Sequence, residues 1–153
     1  MTIEIQEDYK NELYRSLEKC QFIEDTLKEF LLSAVEIARI QASPNFPLKY
    51  KAEEISKLPL GQLVNAFSKI NNDSSLLSEL REITTERNHI AHRSLLFTIG
   101  EMGDSVHMVE ATLKLKEIAQ RASEIHGRVL DARYEILRKL SKVRHEKSKV
   151  CLK

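Results

Sequence analysis

The amino-acid sequence predicts an all-α protein, an up-and-down bundle of four main helices plus one short helix, in a single domain over residues 1–153. First, the chain contains only four glycines and three prolines, too few for many strands and tight turns, since turns with positive φ need Gly or Asn. Second, apolar residues recur at steps of three and four, as in amphipathic helices. Third, the breaks between these stretches are short, which favours antiparallel neighbours.

The first three helices are separated by prolines. The first is expected from about Ile3 to Gln41, a span without Gly or Pro, and it ends before Pro44 and Pro47, which remove backbone donors and disfavour helical geometry in the preceding residues. A short helix is expected over 51–58 and another over 60–70, with Pro59 in its first turn, where a proline loses no intrahelical bond. The apolar face of this third helix is predicted to hold Leu60, Leu63, Val64, Phe67 and Ile70.

The fourth helix is expected from about Ser75 to Leu95, with Ser74 or Ser75 accepting hydrogen bonds from its first free amides. Its apolar stripe is interrupted at Glu86-Arg87-Asn88, where one more apolar residue would be expected. The stripe itself is predicted to comprise Leu76, Leu77, Leu80, Ile83, Ile90 and Ala91.

A break at 100–104 precedes the last helix, expected from about Val106 into the 140s and capped by Asp104 or Ser105. Gly127 costs about 1 kcal/mol against Ala inside a helix, so it is expected to mark a bend or a close approach of another helix. The apolar stripe is predicted at Val109, Leu113, Ile118, Ala122, Ile125, Val129, Ile136, Leu140 and Val143.

The lengths of the first and last helices favour a homodimer. Each could exceed about 50 Å at 1.5 Å per residue, which is longer than the middle helices can cover. The apolar positions beyond that cover are expected to meet a second copy of the chain.

Composition and charge exclude several classes. The 24 basic and 23 acidic side chains give a net charge of +1, so the chain is not a globally basic nucleic-acid binder. No apolar run approaches the roughly 20 residues of a membrane span, and the N-terminus is acidic where a signal peptide would be basic. We therefore expect a cytoplasmic protein with no membrane partner, whose two cysteines, Cys20 and Cys151, are free thiols.

No signature of a cofactor or metal is present in the sequence. The chain lacks a P-loop and a dinucleotide fingerprint. His107, His126 and His145 stand singly, without the spacing of metal ligands. We expect neither a cofactor nor a metal.

The interrupted stripe holds the densest functional cluster, which runs from Glu86 to Arg93 and contains two histidines and two arginines within seven residues. Arg87 and His92 are five residues apart, about 140° around an ideal helix. They would face one pocket only if that pocket is wide, the helix end is distorted or a second chain contributes. His89 and Arg93 are weaker candidates, interpreted as solvated neighbours.

Arg87, Asn88 and His92 resemble the Arg-polar-x3–5-His motif of HEPN domains, small helical bundles of which many are metal-independent endoribonucleases. The resemblance covers roughly residues 10–140 and includes the long first and last helices and the Leu-Gly-Gln-Leu segment at 60–63. The resemblance implies a homodimer that joins two motifs and RNA as the partner. It also implies a possible cognate protein inhibitor and a role in defence or growth control. Some HEPN toxins carry a modifiable tyrosine at the position of Ile90, so that type of regulation is not expected here.

The resemblance implies a catalytic set of Arg87, Asn88 and His92. Metal-free RNA cleavage needs a base for the 2′-hydroxyl proton, an acid for the leaving oxygen and fixed positive charge near the phosphate. His92 would transfer protons and Arg87 would clamp the phosphate. Asn88 would make an orienting hydrogen bond or a hydrogen bond to the phosphate.

Structural interpretations stay open beside the catalytic one. Arg87 could pair with Glu82, Glu86 or a carboxylate of another helix, and His92 could stabilise the end of its helix. The same surface could also belong to a non-catalytic module that binds RNA, a nucleotide or a protein, or to a purely structural dimer. A basic C-terminal extension from about residue 138 carries seven Lys or Arg and one acid, Glu146; it could bind RNA phosphates or be a solvated, frayed helix end.

Overall fold

The computed structural model describes residues 3–42, 52–98 and 105–150, with the backbone alone described for 94–98 and 105. Within these ranges the chain forms five helices and no strand, which confirms the all-α prediction. The helices are α1 (Ile3–Gln41), α2 (Ala52–Ser56), α3 (Leu60–Phe67), α4 (Ser74–Thr98) and α5 (Ser105–Val150).

The helix limits largely follow the sequence pattern, and the main differences concern α3 and the start of α4. Pro59 precedes α3 in an extended conformation instead of lying in its first turn, and α3 ends at Phe67, so Ile70 is 49% exposed and not part of the apolar face. The backbone amide of Leu76 donates to Asp73 Oδ1 at 3.0 Å, so Asp73, not Ser74 or Ser75, provides the side-chain cap of α4. The predicted break at 100–104 and the prolines 44 and 47 lie outside the described residues.

Two compact units divide the chain, and neither is continuous in sequence: the first combines Met1–Ile23 with Asp73–Gly127, and the second combines Glu24–Asn72 with Arg128–Lys153. In the second unit, α3 presents its apolar face to α1. The rings of Phe30 and Phe67 meet edge to face, with their centroids 4.8 Å apart. Both side chains are buried, so this contact lies in the core of the second unit.

In the first unit, α1, α4 and α5 pack around a core that includes Ile90 of the cluster from Glu86 to Arg93. The buried hydroxyl of Ser16 lies 2.8 Å from the carbonyl oxygen of Leu115 and 2.7 Å from that of Glu12. Its small side chain lets α1 approach the backbone of α5. The guanidinium of Arg121, on α5, binds two carboxylates of α4. Its Nη1 lies 2.9 Å from Glu86 Oε1 and its Nη2 lies 3.0 Å from Glu82 Oε2.

The apolar stripe of α5 differs from the prediction at its start. Val109 and Leu113 are 45% and 55% exposed, whereas Met108 and Thr112 are buried. Thr112 Oγ1 donates to the carbonyl oxygen of Met108 at 2.8 Å, which satisfies the hydroxyl and allows a polar residue on the buried face. Gly127 neither marks a close approach nor needs to be small, because a Cβ built there would meet no atom within 4 Å.

Candidate functional site

The motif arginine projects from the buried side of α4. Leu76, Leu80, Ile83 and Ile90 are all buried and follow steps of four and three that place Arg87 at the missing position of the same stripe. Arg87 is accordingly only partly exposed. The interruption predicted from the sequence is therefore a cation in a position that packing alone would give to an apolar side chain.

Arg87 interacts with its surroundings on two sides. Its Nη1 donates a hydrogen bond to Asn88 Oδ1 at 3.1 Å, on the exposed side of the helix. On the other side it lies near α1. Burial raises the pKa of the Cys20 thiol to about 11, and the positive charge of Arg87 partly opposes that rise while Glu86 adds to it. Arg87 thus reaches from the core towards the surface, and Asn88 holds its guanidinium there.

His92 lies on the exposed face, about 140° around α4 from Arg87 in a regular helix. Asn88 is also exposed and precedes His92 by four residues, so these two side chains share one face. The structure therefore brings Arg87 to Asn88 and places Asn88 beside His92. Within one chain, Arg87 and His92 do not lie on a common face of α4.

Two structural interpretations of the motif can now be decided. Glu82 and Glu86 bind Arg121, and the side-chain hydrogen bond of Arg87 is to Asn88, so Arg87 is not the ion-pair partner of either carboxylate. Because α4 continues to Thr98, His92 is not in the last turn of its helix and does not stabilise the helix end.

A groove in the first unit opens beside the motif, with a volume of about 220 Å³. Its inner wall is apolar and is formed by the buried side chains of Ile90, Leu115 and Ile118. Tyr9 of α1 also lines it; burial raises the pKa of the Tyr9 phenol, and nearby Arg93 partly opposes the rise. The phenol therefore keeps its proton at neutral pH.

The mouth of the groove is positively charged. His89 and Arg93, one turn apart on α4, and Lys114 of α5 are exposed and line it. Both His89 and Arg93 are solvated neighbours of the motif, as predicted, and they also line the groove. His89 and Arg93 follow Glu86, which also lines the groove, by three and seven residues, and this spacing indicates that they share one face of α4. No local sequence pattern indicates that Lys114 lies beside them.

The described histidines and cysteines were compared with the requirements of a metal centre. Among the described residues, no group of three or more His, Cys, Asp or Glu side chains is placed to hold a metal ion. His126 of the first unit packs against the Phe22 ring with centroids 5.8 Å apart, and burial together with the charge of Lys19 lowers its pKa. Across the described helices, none combines the length and apolarity needed to cross a membrane.

The basic extension is helical as far as Val150 and its Lys and Arg side chains are exposed up to that point. Arg144 lies 3.7 Å from Glu36 of α1, within the second unit. The described part of the extension is therefore helical and solvated, and it leaves several cations available to an anionic partner.

Comparison of the chain with protein-family models, with curated proteins and with solved structures found no match in any of the three.

Proposed function

We propose that the chain is a HEPN-like, metal-independent endoribonuclease that acts as a homodimer. The observation that carries the proposal is the hydrogen bond of 3.1 Å from Arg87 to Asn88, which holds a fixed cation next to the exposed face that bears His92. A cation at an otherwise apolar position of the stripe is expected where function opposes packing. The HEPN resemblance supplies the reaction.

The three side chains have complementary roles in this proposal. His92 takes the proton of a ribose 2′-hydroxyl, and the freed oxygen attacks the adjacent phosphorus. The 5′-oxygen leaves with a proton from a second acid, so that the products are a 2′,3′-cyclic phosphate and a 5′-hydroxyl. Arg87 neutralises the charge that develops on the phosphoryl oxygens, and Asn88 keeps the guanidinium in position.

A second copy supplies what one motif lacks. One chain offers a single His92 for two proton transfers, so the partner's His92 would serve as the acid. Val106, Val109 and Leu113 of α5 are 58%, 45% and 55% exposed and are spaced by three and four residues, as in a helical seam. We propose this stripe as the surface that the second copy covers.

The test of catalysis uses the purified full chain in EDTA with a panel of single-stranded and structured RNAs. We expect cleavage with 2′,3′-cyclic phosphate ends, and its loss when the ribose at the cleaved position is 2′-deoxy. His92→Ala should reduce the rate by about 10²–10⁴-fold, whereas His145→Ala, at an exposed position of α5, should not change it. Intact RNA with the wild type, or a wild-type rate with His92→Ala, would contradict the proposal.

The test of the dimer is the mass in solution. Light scattering at micromolar concentration should give twice the chain mass for the wild type and the chain mass for Leu113→Glu, which places a charge in the seam. Leu113→Glu should also lose cleavage while keeping its helical circular dichroism. A monomeric wild type would contradict the composite site.

One observation favours a second candidate, a non-catalytic module that binds RNA, a nucleotide or a protein through the same face. Arg87 projects from the buried side of α4 near Cys20, where it could serve packing alone. In that case RNA would bind without being cleaved, and binding would survive both His92→Ala and Arg87→Ala.

A further inference from the structure

The groove beside the motif joins an apolar inner wall to a positively charged mouth. Ile90, Leu115 and Ile118 form the wall, and each is at most 6% exposed. Arg93 and Lys114 line the mouth with exposed side chains. A ligand in this groove would therefore meet an apolar surface at one end and two cations at the other.

The charges that line the groove favour an anion. Glu86 is the one carboxylate among the lining side chains, against the two cations Arg93 and Lys114. Its carboxylate already accepts two hydrogen bonds from Arg121 Nη1, at 2.9 and 3.1 Å. The mouth therefore has an excess of positive charge, which complements an anionic group on a ligand.

The hydroxyl groups that line the groove already interact within the chain. Thr85 Oγ1 donates to the carbonyl oxygen of Arg81 at 3.1 Å. Tyr9 is only 7% exposed, and its phenol interacts with the charge of Arg93. An apolar body placed against the wall therefore leaves no hydroxyl in need of a new partner. A body rich in donors and acceptors would lose its hydrogen bonds to water at the same wall.

The volume of the groove limits the size of that apolar body. An engineered apolar cavity of about 150 Å³ in another protein accommodates benzene, and sites for drug-sized ligands usually measure about 300–1,000 Å³. The groove, at about 220 Å³, lies between these values. It therefore has room for a single ring with a short side group.

We propose that the groove binds a small monocarboxylic acid, with its one apolar ring against the inner wall and its carboxylate at Arg93 and Lys114. Arginine presents paired donors that match a carboxylate, and lysine adds a second positive charge. A ligand of about ten non-hydrogen atoms is expected to have a Kd between roughly 1 µM and 1 mM. The site is independent of the proposed nuclease function, since Arg87 and His92 lie outside the lining of the groove.

The test is binding of phenylacetate to the full chain, measured by calorimetry. Phenylacetamide has the same shape without the charge, and acetate has the charge without the ring. We expect one phenylacetate per chain and at least roughly tenfold weaker binding of both comparison ligands, because each of them lacks one of the two interactions.

Variants of the mouth and the wall locate the site. Lys114→Glu reverses a charge at the mouth, so it should weaken phenylacetate binding roughly tenfold or more while leaving the uncharged phenylacetamide within about twofold. Lys116→Glu makes the same change at an exposed position of α5 outside the groove and should leave phenylacetate binding within about twofold. Ala111→Leu fills the groove from α5 and should abolish binding, with the fold checked by thermal unfolding.

Four results would overturn the proposal. They are no saturable binding of phenylacetate up to about 10 mM, which is weaker than a ligand of this size should bind, equal binding of acetate or phenylacetamide, insensitivity to both Lys114→Glu and Ala111→Leu, and tighter binding of uridine 5′-monophosphate than of phenylacetate.

The outcomes for the groove and for the nuclease are distinguishable. His92→Ala should bind phenylacetate as the wild type does, because His92 does not line the groove. Phenylacetate binding without cleavage of any RNA would keep the carboxylate site and remove the nuclease. RNA cleavage without phenylacetate binding would do the reverse.

Discussion

Replacing Arg87 by leucine should stabilise the fold while abolishing the proposed activity. Arg87 occupies the one partly exposed position in a stripe whose other members, Leu76, Leu80, Ile83 and Ile90, are 0–6% exposed. Full burial of a leucine side chain is worth about 1.5–3 kcal/mol, so burial of half or more is worth about 1–1.5 kcal/mol. Loss of the exposed hydrogen bond to Asn88 subtracts about 0.5 kcal/mol.

The expected net gain for Arg87→Leu is therefore about 0.5–1 kcal/mol in the free energy of unfolding, or about 2 °C in Tm for a chain of this size. Urea and thermal unfolding followed by circular dichroism would measure it. A second readout is Cys20: because Arg87 lowers its pKa, the variant should have a still less reactive thiol. RNA cleavage should be lost at the same time.

Arg81→Leu is the matched control, since Arg81 is exposed on the same helix and the chemical change is identical. Its stability should differ from the wild type by less than about 0.5 kcal/mol. A loss of 1 kcal/mol or more in Arg87→Leu would refute the reasoning, because it would mean that the stem and hydrogen bond of Arg87 are there for packing.

Three further perturbations test the surroundings of the site. Gly127→Ala should raise the free energy of unfolding by about 1 kcal/mol, because the added Cβ meets no atom within 4 Å and alanine favours helix. Arg121→Ala should lower it by about 1 kcal/mol at low salt and by less at high salt, since it removes two partly exposed pairs and leaves Glu82 and Glu86 facing each other one turn apart. The lowered pKa of His126 means that the unfolded chain binds more protons just below its ordinary value of 6.5, so wild-type stability should fall as the pH drops through that window, and His126→Gln should reduce the fall.

Each of these predictions has a control on the same helix. Ser123→Ala should gain less than Gly127→Ala, because serine disfavours helix less than glycine does. Lys116→Ala removes an exposed cation from α5 and should leave stability within about 0.5 kcal/mol. His145→Gln makes the same chemical change at an exposed position of α5 and controls for the substitution itself. The corresponding argument would be contradicted if Gly127→Ala lowered the free energy of unfolding or if Arg121→Ala left it unchanged. For His126→Gln, the contradicting result is a pH dependence of stability equal to that of the wild type.

The sequence predicted the helices well because their signals are local. The limits of α1 follow from a stretch without glycine or proline, and the missing apolar residue of α4 was visible as an interruption at Arg87. The cap of α4 was misplaced by one or two residues because Asp73, Ser74 and Ser75 are all capping residues, and only the chain geometry decides among them.

The start of the α5 stripe and the groove could not be predicted in the same way. Val109 and Leu113 are more apolar than Thr112, yet the register of the buried residues that follow places Thr112 inside, where its hydroxyl bonds to its own helix. The groove combines side chains from α1, α4 and α5, so Tyr9 and Lys114 become neighbours of His89 only through tertiary packing.

The discontinuous first unit has a consequence for the order of folding. The contact between Ser16 and Leu115 joins residues 99 apart, whereas that between Glu86 and Arg121 joins residues 35 apart. Closing the longer loop costs about 0.9 kcal/mol more in chain entropy, so the α4–α5 pair is favoured to form before α1 packs against it. Arg87 then stays hydrated until α1 arrives with Cys20, and the groove gains its Tyr9 wall in that last step.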